Sequence, residues 1–260
     1  MHAALIMAGA LLAPADPSLP DGNALVRELA RKQRHWEDIL DSYTYDMEVV
    51  REDLSKEERV TRRRSHRFEV FYVKGRPIRR LVAEGGRPLA PDRQATVDRE
   101  AREKVAAINE NRVARETPFM RLSAILERYD FRAVGREDVA GRAAIVLEFT
   151  PLPGARPLEH DKVLRSLAGR VWMDEAEREV VRAEVRNTAG MKFFGGLGAS
   201  VSSVSGTFEF RKVGDAVWLP ARDETRATGR MLLFKTFRTR VVRTYDNFRR
   251  FEVQSEEKIR

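Results

Sequence analysis

Apolar residues follow two different periods along the chain, and the changes of period divide it into elements. Between Asp21 and Leu40, Val26, Leu29, Trp36 and Leu40 recur at helical spacing with charged residues on the other side. That pattern predicts one amphipathic helix with Asp21 as its cap. From Tyr43 the period becomes two. Phe68, Val70 and Tyr72 alternate with Arg67, Glu69 and Phe71, as in a half-buried strand. Lys74-Gly75-Arg76-Pro77 reads as a turn, Ile78 to Ala83 as the returning strand and Gly85-Gly86 as its close. The region predicts two or three consecutive antiparallel strands.

The strand pattern breaks from Asp92 to Arg115, where a thin apolar line (Val97, Ala101, Val105, Ile108) runs through dense charge and predicts a helix lying largely in solvent. Thr117-Pro118 starts a second helix with a cap and a proline at its first position, and Phe119, Leu122, Ile125 and Leu126 give it an apolar face. The two read as an insertion or lid over about 91–128. Beyond it, Ile145, Leu147 and Phe149 share one strand face, 151–157 is a loop and 158–167 a short helix. Strands follow at Val171 to Met173 and at Glu179 to Arg186, the latter with Val181, Ala183 and Val185 inward and Arg182, Glu184 and Arg186 outward. Met191 to Gly206 is uncharged after Lys192 and carries Phe193, Phe194, Leu197, Val201 and Val204 among glycines and serines. Further strands are expected at Thr207 to Val213 with Phe208 and Phe210 inward, at Ala216 to Leu219, at Met231 to Val242 and near Phe251 to Val253.

Long runs of sequential strands joined by tight turns predict an antiparallel meander rather than βαβ units. A sheet of that many strands must curl or close. The fold expected is therefore α+β: a strongly curved antiparallel sheet, a half-open β-barrel, covered by helices on its concave face. One domain over 16–260 accommodates it.

Several local motifs sit on this pattern. A strand opens with Ser42-Tyr43-Thr44-Tyr45, and Phe68-Glu69-Val70-Phe71-Tyr72-Val73-Lys74-Gly75-Arg76-Pro77 and Arg79-Arg80-Leu81-Val82 follow. Farther on stand Leu167-Ala168-Gly169-Arg170-Val171-Trp172-Met173-Asp174 and Val217-Trp218-Leu219-Pro220. The layout resembles the outer-membrane lipoprotein-sorting proteins of the LolA/LolB-like lipoprotein carrier superfamily, in a larger variant, over most of residues 20–253. The resemblance implies a half-open antiparallel barrel covered by helices, an apolar cavity that receives acyl chains, transport of lipoproteins or other lipids, and no chemistry. The Asp92 to Arg128 helices make this chain longer than such carriers. Their ligand-contacting arginine and release loop match no position in it.

Composition narrows the setting. In 260 residues, 42% are apolar and 34% charged, and 48 basic against 40 acidic residues leave a net charge of +8. This is a folded protein with a heavily charged surface. No interior stretch approaches the roughly 20 apolar residues of a membrane span. The chain has no cysteine, which excludes disulfides, thiolate metal sites, a thiol nucleophile and lipidation at a cysteine. Residues 1–15 read as a signal peptide: an apolar core from Ala3 to Ala13, then Ala13-Pro14-Ala15 placing cleavage before Asp16. Only His2 precedes the core, so the usual basic segment is missing. The expected location is periplasmic, exported and not lipid-anchored.

Catalytic patterns are weak. Gly198-Ala199-Ser200-Val201-Ser202 lacks the closing glycine of a nucleophile elbow, and Gly195-Gly196-Leu197-Gly198 lacks the lysine and hydroxyl of a phosphate loop. His2, His35, His66 and His160 show no metal-ligand spacing, and Glu159-His160-Asp161 reads as a solvated helix start. Arg62-Arg63-Arg64 with Arg67, and Arg238, Arg240 and Arg243, suit an anionic membrane surface or the solvent face of a sheet better than nucleic acid. No enzyme activity, metal or cofactor is expected. The function expected is a non-catalytic periplasmic carrier holding a lipid or acylated protein, with envelope membrane proteins as further partners. Its apolar cavity would be lined by Trp36, Phe68, Val70, Tyr72, Phe119, Leu122, Leu147, Phe193, Phe194, Leu197, Phe208 and Phe210. The alternative is an envelope structural or adaptor protein with a packed core that docks a membrane partner.

Overall fold

The computed structural model describes residues 18–40, 42–74, 76–112, 128–153, 166–193, 199–214, 217–231 and 235–250, with the side chains of 33–40, 193 and 199 outside that description. In chain order the elements are α1 (Gly22–Leu40), β1 (Tyr43–Leu54), β2 (Val60–Val73), β3 (Arg76–Glu84), β4 (Arg87–Pro88) and α2 (Pro91–Asn109). Then come β5 (Tyr129–Val139), β6 (Arg142–Pro151), β7 (Leu167–Asp174), β8 (Val180–Asn187), β9 (Met191–Phe193), β10 (Ala199–Val213), β11 (Val217–Met231) and β12 (Lys235–Arg250). The expected helices at 117–128 and 158–167 and the strand near 251–253 fall wholly or mostly outside the described residues.

The strands form one curved, open antiparallel sheet in the order β4-β3-β2-β1-β12-β11-β10-β8-β7-β6-β5, with β9 paired to β10. Two meanders are joined where the first strand meets the last, Met47 opposite Tyr245 and Val50 opposite Val242. The ends of the order, β4 and β5, do not pair, so the barrel stays half open.

α1 defines what is here called the inner face. Asp21 caps it through Oδ1, which accepts from the backbone N–H of Asn23 at 2.8 Å and of Ala24 at 3.2 Å. Leu25, Val26 and Leu29 then bury against Phe131, Ile145, Leu147, Phe149, Val171 and Met173. Gly22 lets the helix start abut β5: a Cβ there would lie 2.5 Å from the Phe131 carbonyl oxygen. Asn23 Oδ1 accepts from the Phe131 N–H at 3.0 Å, satisfying a donor of the edge strand.

Strand register carries the inner face across the sheet. Leu147 lies opposite Val171, Val171 opposite Ala183, Ala183 opposite Phe208, Phe208 opposite Asp223 and Asp223 opposite Arg243. On the far side Met47 lies opposite Tyr245 and Phe68, and Phe68 opposite Leu81. The neighbouring positions form an outer face of paired charges. Glu148 there accepts from Arg132 and Arg170, and Glu224 from Arg222, Arg226 and Arg240.

α2 packs on the outer face, across the sheet from α1. Ala101 and Ile108 bury with Ile78 against Phe71 and Val73, while Val70 and Tyr72 point to the opposite side of the same strand. Phe71, which sequence alternation sets among the polar residues of β2, is thus the seat of a helix. Arg80 ties the two layers, donating to Glu69 at 2.7 Å and to Asp98 at 2.9 Å.

Two strand expectations change. A register shift between Trp172 and Met173 pairs Met173 with Val180, so Val180 joins the α1 side while Val181 packs with Ala144, Val146 and Trp172 on the outer side. The expected inward position of Val181 fails because alternation cannot register a bulge. The strand expected from Met231 to Val242 is two strands, β11 ending at Met231 and β12 starting at Lys235.

Candidate ligand-binding face

On the inner face beyond α1, Tyr45, Met47 and Val70 bury among Val49, Phe68, Tyr72, Tyr245 and Phe248. The ladder explains the grouping, since Tyr45 stands opposite Val70 and Met47 opposite both Phe68 and Tyr245. Tyr45 is the hub. Its ring centroid lies 5.2 Å from Phe248, 5.9 Å from Tyr245 and 6.5 Å from Tyr72, all tilted contacts. The Tyr45 and Tyr72 hydroxyls are 3.5 Å apart.

A polar group interrupts this apolar surface. Asp223, only 4% exposed, accepts from the Tyr245 hydroxyl at 2.6 Å and from Arg243 Nη1 at 2.8 Å. Burial pushes the Tyr245 hydroxyl up from the ordinary tyrosine range, and its bond to the Asp223 carboxylate adds to that. Burial, and then the neighbouring Tyr72, push Tyr45 up as well. Exposed Arg79 stands opposite Val70 on this face, without an ion pair among the described residues. Its charge pulls both tyrosines the other way and is outweighed.

The expected cavity residues separate into groups. Phe68, Val70 and Tyr72 lie together in the aromatic patch. Leu147 is sealed under α1, with Phe210 packed against the same cluster. Phe208 stands between the groups, half-buried and opposite both Ala183 and Asp223. The side chains of Trp36 and Phe193, and the residues Phe119, Leu122, Phe194 and Leu197, lie outside the described residues. Sequence reading passed over Tyr45 and Met47, although Tyr43-Thr44-Tyr45-Asp46-Met47 alternates visibly. It also missed Asp223 and Tyr245, and Arg243, expected on a solvent or membrane-facing side with Arg238 and Arg240, instead turns inward to Asp223.

A separate groove of about 570 Å³ opens on the outer face between α2 and the sheet, with Phe71 and Arg80 on one wall and Ala101 and Val105 on the other. It contains none of the expected cavity residues. Among the described residues no group of three or more His, Asp or Glu side chains could hold a metal ion. No described helix is long and apolar enough to cross a membrane. Asp223, Arg243 and Tyr245 form a hydrogen-bonded set within the apolar surface.

No protein-family model matches the chain, and no curated protein matches it. Among solved structures it is similar to an outer membrane lipoprotein-sorting protein domain from Vibrio parahaemolyticus, at 14% identity and a TM-score of 0.41, covering 90% of this chain and 94% of that one. It is also similar to a DUF1329 family protein from Desulfovibrio piger, at 12% identity and a TM-score of 0.39, covering 90% and 95%. A LolA superfamily protein from Nitrosomonas europaea matches at 10% identity and a TM-score of 0.32, covering 90% and 96%. At these identities and TM-scores no residue role, ligand or partner passes from those proteins to this chain.

Proposed function

We propose that the protein is a non-catalytic carrier that holds the acyl chain of a lipid or of an acylated protein against the inner face of its sheet, in the periplasm after removal of residues 1–15. The observation that carries this reading is the aromatic-aliphatic patch around Tyr45, on the same face as the α1 cluster yet separate from it. Phe68 and Tyr72 are incompletely buried there, as is Phe208 between the two clusters, which leaves apolar area for a ligand. An acyl chain on such a surface gains on the order of 0.8 kcal/mol per buried methylene without any catalytic group. Arg79, at the margin of the patch, is placed to meet an anionic headgroup. Leu147, fully buried under α1, belongs to the core rather than to the ligand.

The test is displacement of an environment-sensitive fatty-acid probe by phospholipid, together with organic extraction of the purified protein. Probe binding that weakens at least tenfold in Phe68→Asp and in Tyr72→Asp, with far-ultraviolet circular dichroism unchanged, supports a carrier. No probe response in the wild-type protein and no lipid in the extract would sink it, and leave the adaptor reading with a packed interior.

A further inference from the structure

One end of the sheet brings two hairpins together. The β1–β2 ladder closes there at Leu54 opposite Val60, and the β11–β12 ladder runs on to Met231 opposite Lys235. Glu58, in the β1–β2 turn, lies 3.7 Å from Arg226 Nη1 and 4.0 Å from Arg238 Nε. These pairs draw the turn against β11 and β12, so the two hairpins present one surface.

At this end unpaired cations and exposed aliphatic side chains occur together. Along the middle of the outer face the arginines are paired, as Arg222, Arg226 and Arg240 are with Glu224. At the end, Lys56, Arg59, Arg62, Arg230 and Lys235 are all exposed and have no ion pair among the described residues. Two exposed aliphatic side chains stand among them, Val60 at 51% and Met231 at 48%. Val60 begins the strand that carries Arg62, and Met231 directly follows Arg230.

We infer that this end of the sheet docks onto an anionic lipid bilayer. Unpaired cations on long stems reach headgroup phosphates, while aliphatic tips between them enter the boundary of the acyl region. Val60 and Met231 match the acyl boundary of a bilayer in chemistry, and nucleic acid is the competing partner that the experiment below tests. An acidic protein would satisfy the cations and leave both aliphatic side chains in water. The surface is distinct from the inner-face patch, and an adaptor with a solid core would use it equally well.

The experiment is co-sedimentation of the full chain with vesicles of phosphatidylglycerol mixed into phosphatidylcholine, against vesicles of phosphatidylcholine alone. The expected result is binding to the anionic vesicles only, weakened by salt. Each of Arg59→Ser, Arg62→Ser and Arg230→Ser lowers vesicle affinity about fivefold. Val60→Ser with Met231→Ser weakens binding at low salt while the fatty-acid probe response stays at wild-type level, so failure of the carrier reading and failure of the docking surface are told apart. The triple variant Arg93→Ser, Arg99→Ser, Arg102→Ser on α2 removes as much charge as the three sheet substitutions together and leaves vesicle binding intact. The inference is overturned by absent binding to anionic vesicles, by an equal loss in the α2 triple variant, or by duplex DNA competing as well as vesicles at equal charge.

Discussion

The Tyr245 hydroxyl on β12 donates to Asp223 Oδ1 on β11 at 2.6 Å, and Arg243, two residues before Tyr245, takes the other carboxylate oxygen at 2.8 Å. Asp223 is thereby a buried anion with both oxygens engaged, in the middle of the face that joins the two apolar clusters. Removing the carboxylate leaves a cation and a phenol without their acceptor. Asp223→Ala is expected to cost about 2–3 kcal/mol, below the usual range for a fully buried pair because Arg243 is 37% exposed. Tyr245→Phe, which leaves the ion pair, is expected to cost about 1 kcal/mol. Urea denaturation of both variants measures this, and equal losses would mean that the ion pair contributes nothing.

The same tyrosine sets an alkaline limit. Tyr45 and Tyr245 are both held above the ordinary tyrosine value, chiefly by burial. A group whose folded pKa is raised contributes stability that is fully present below its unfolded value, roughly 10, and is lost as pH rises above it. Stability is therefore expected to fall from about pH 10 upward, with these two phenols ionising only as the protein unfolds. Phenolate absorbance followed beside circular dichroism gives the order of events. Full ionisation of all tyrosines in a still-folded protein would contradict it.

The elements that sequence reading located are those whose apolar residues keep one period over a full element. The Asp21 cap and the α1 stripe at Val26 and Leu29, the β2 face at Phe68 and Val70, and the β6 face at Ile145, Leu147 and Phe149 all follow from spacing. The half of the candidate site on β11 and β12 was illegible because its inward residues, Asp223 and Arg243 above all, are themselves charged. In Arg222-Asp223-Glu224 all three residues are ionic, and only the ladder reveals that Asp223 turns inward while Arg222 and Glu224 pair on the outside. The bulge at Trp172/Met173 defeated alternation in another way, by advancing β8 one residue against β7. The second face of Phe71 required knowing that a helix 20 residues later returns to cover it, a non-local fact that no window on the sequence contains.

Gly169 tests the close approach of β7 to β8. A Cβ at this position would lie 1.8 Å from the Glu184 carbonyl oxygen and 3.0 Å from the Phe149 ring. Neither neighbour has a flexible end to withdraw, because one is ladder backbone and the other is packed under α1. Gly169→Ala is expected to destabilise by about 3 kcal/mol, the upper range for overpacking. Gly135→Ala, where an added Cβ meets nothing within 4 Å, is the matched control and is expected to change stability by less than about 1 kcal/mol. Thermal melts of the pair decide it, and a neutral Gly169→Ala would show that the two strands can separate without loss.

The β7–β8 turn sets the acid limit. Asp174 is 2% exposed; burial works against its ionised form, but Arg142 Nε at 2.6 Å and the backbone N–H groups of Glu177 and Ala176 hold its pKa below the usual carboxylate value. Glu177 beside it is held low first by the Trp218 indole N–H at 2.9 Å, and then by Lys212 and Arg142. A depressed folded pKa contributes stability present above the unfolded value and lost as pH falls through the folded one. The wild-type protein should therefore keep its stability down to about pH 4 and lose it below. Asp174→Asn flattens that dependence and weakens the turn at neutral pH, since an amide accepts from the backbone N–H groups but offers Arg142 no charge. Asp174→Ala removes the acceptor too and should lower the melting temperature by about 5–10 °C, from a loss of roughly 3 kcal/mol. Melting temperature against pH for the three proteins is the measurement, and parallel curves would assign acid unfolding to carboxylates elsewhere on the outer face.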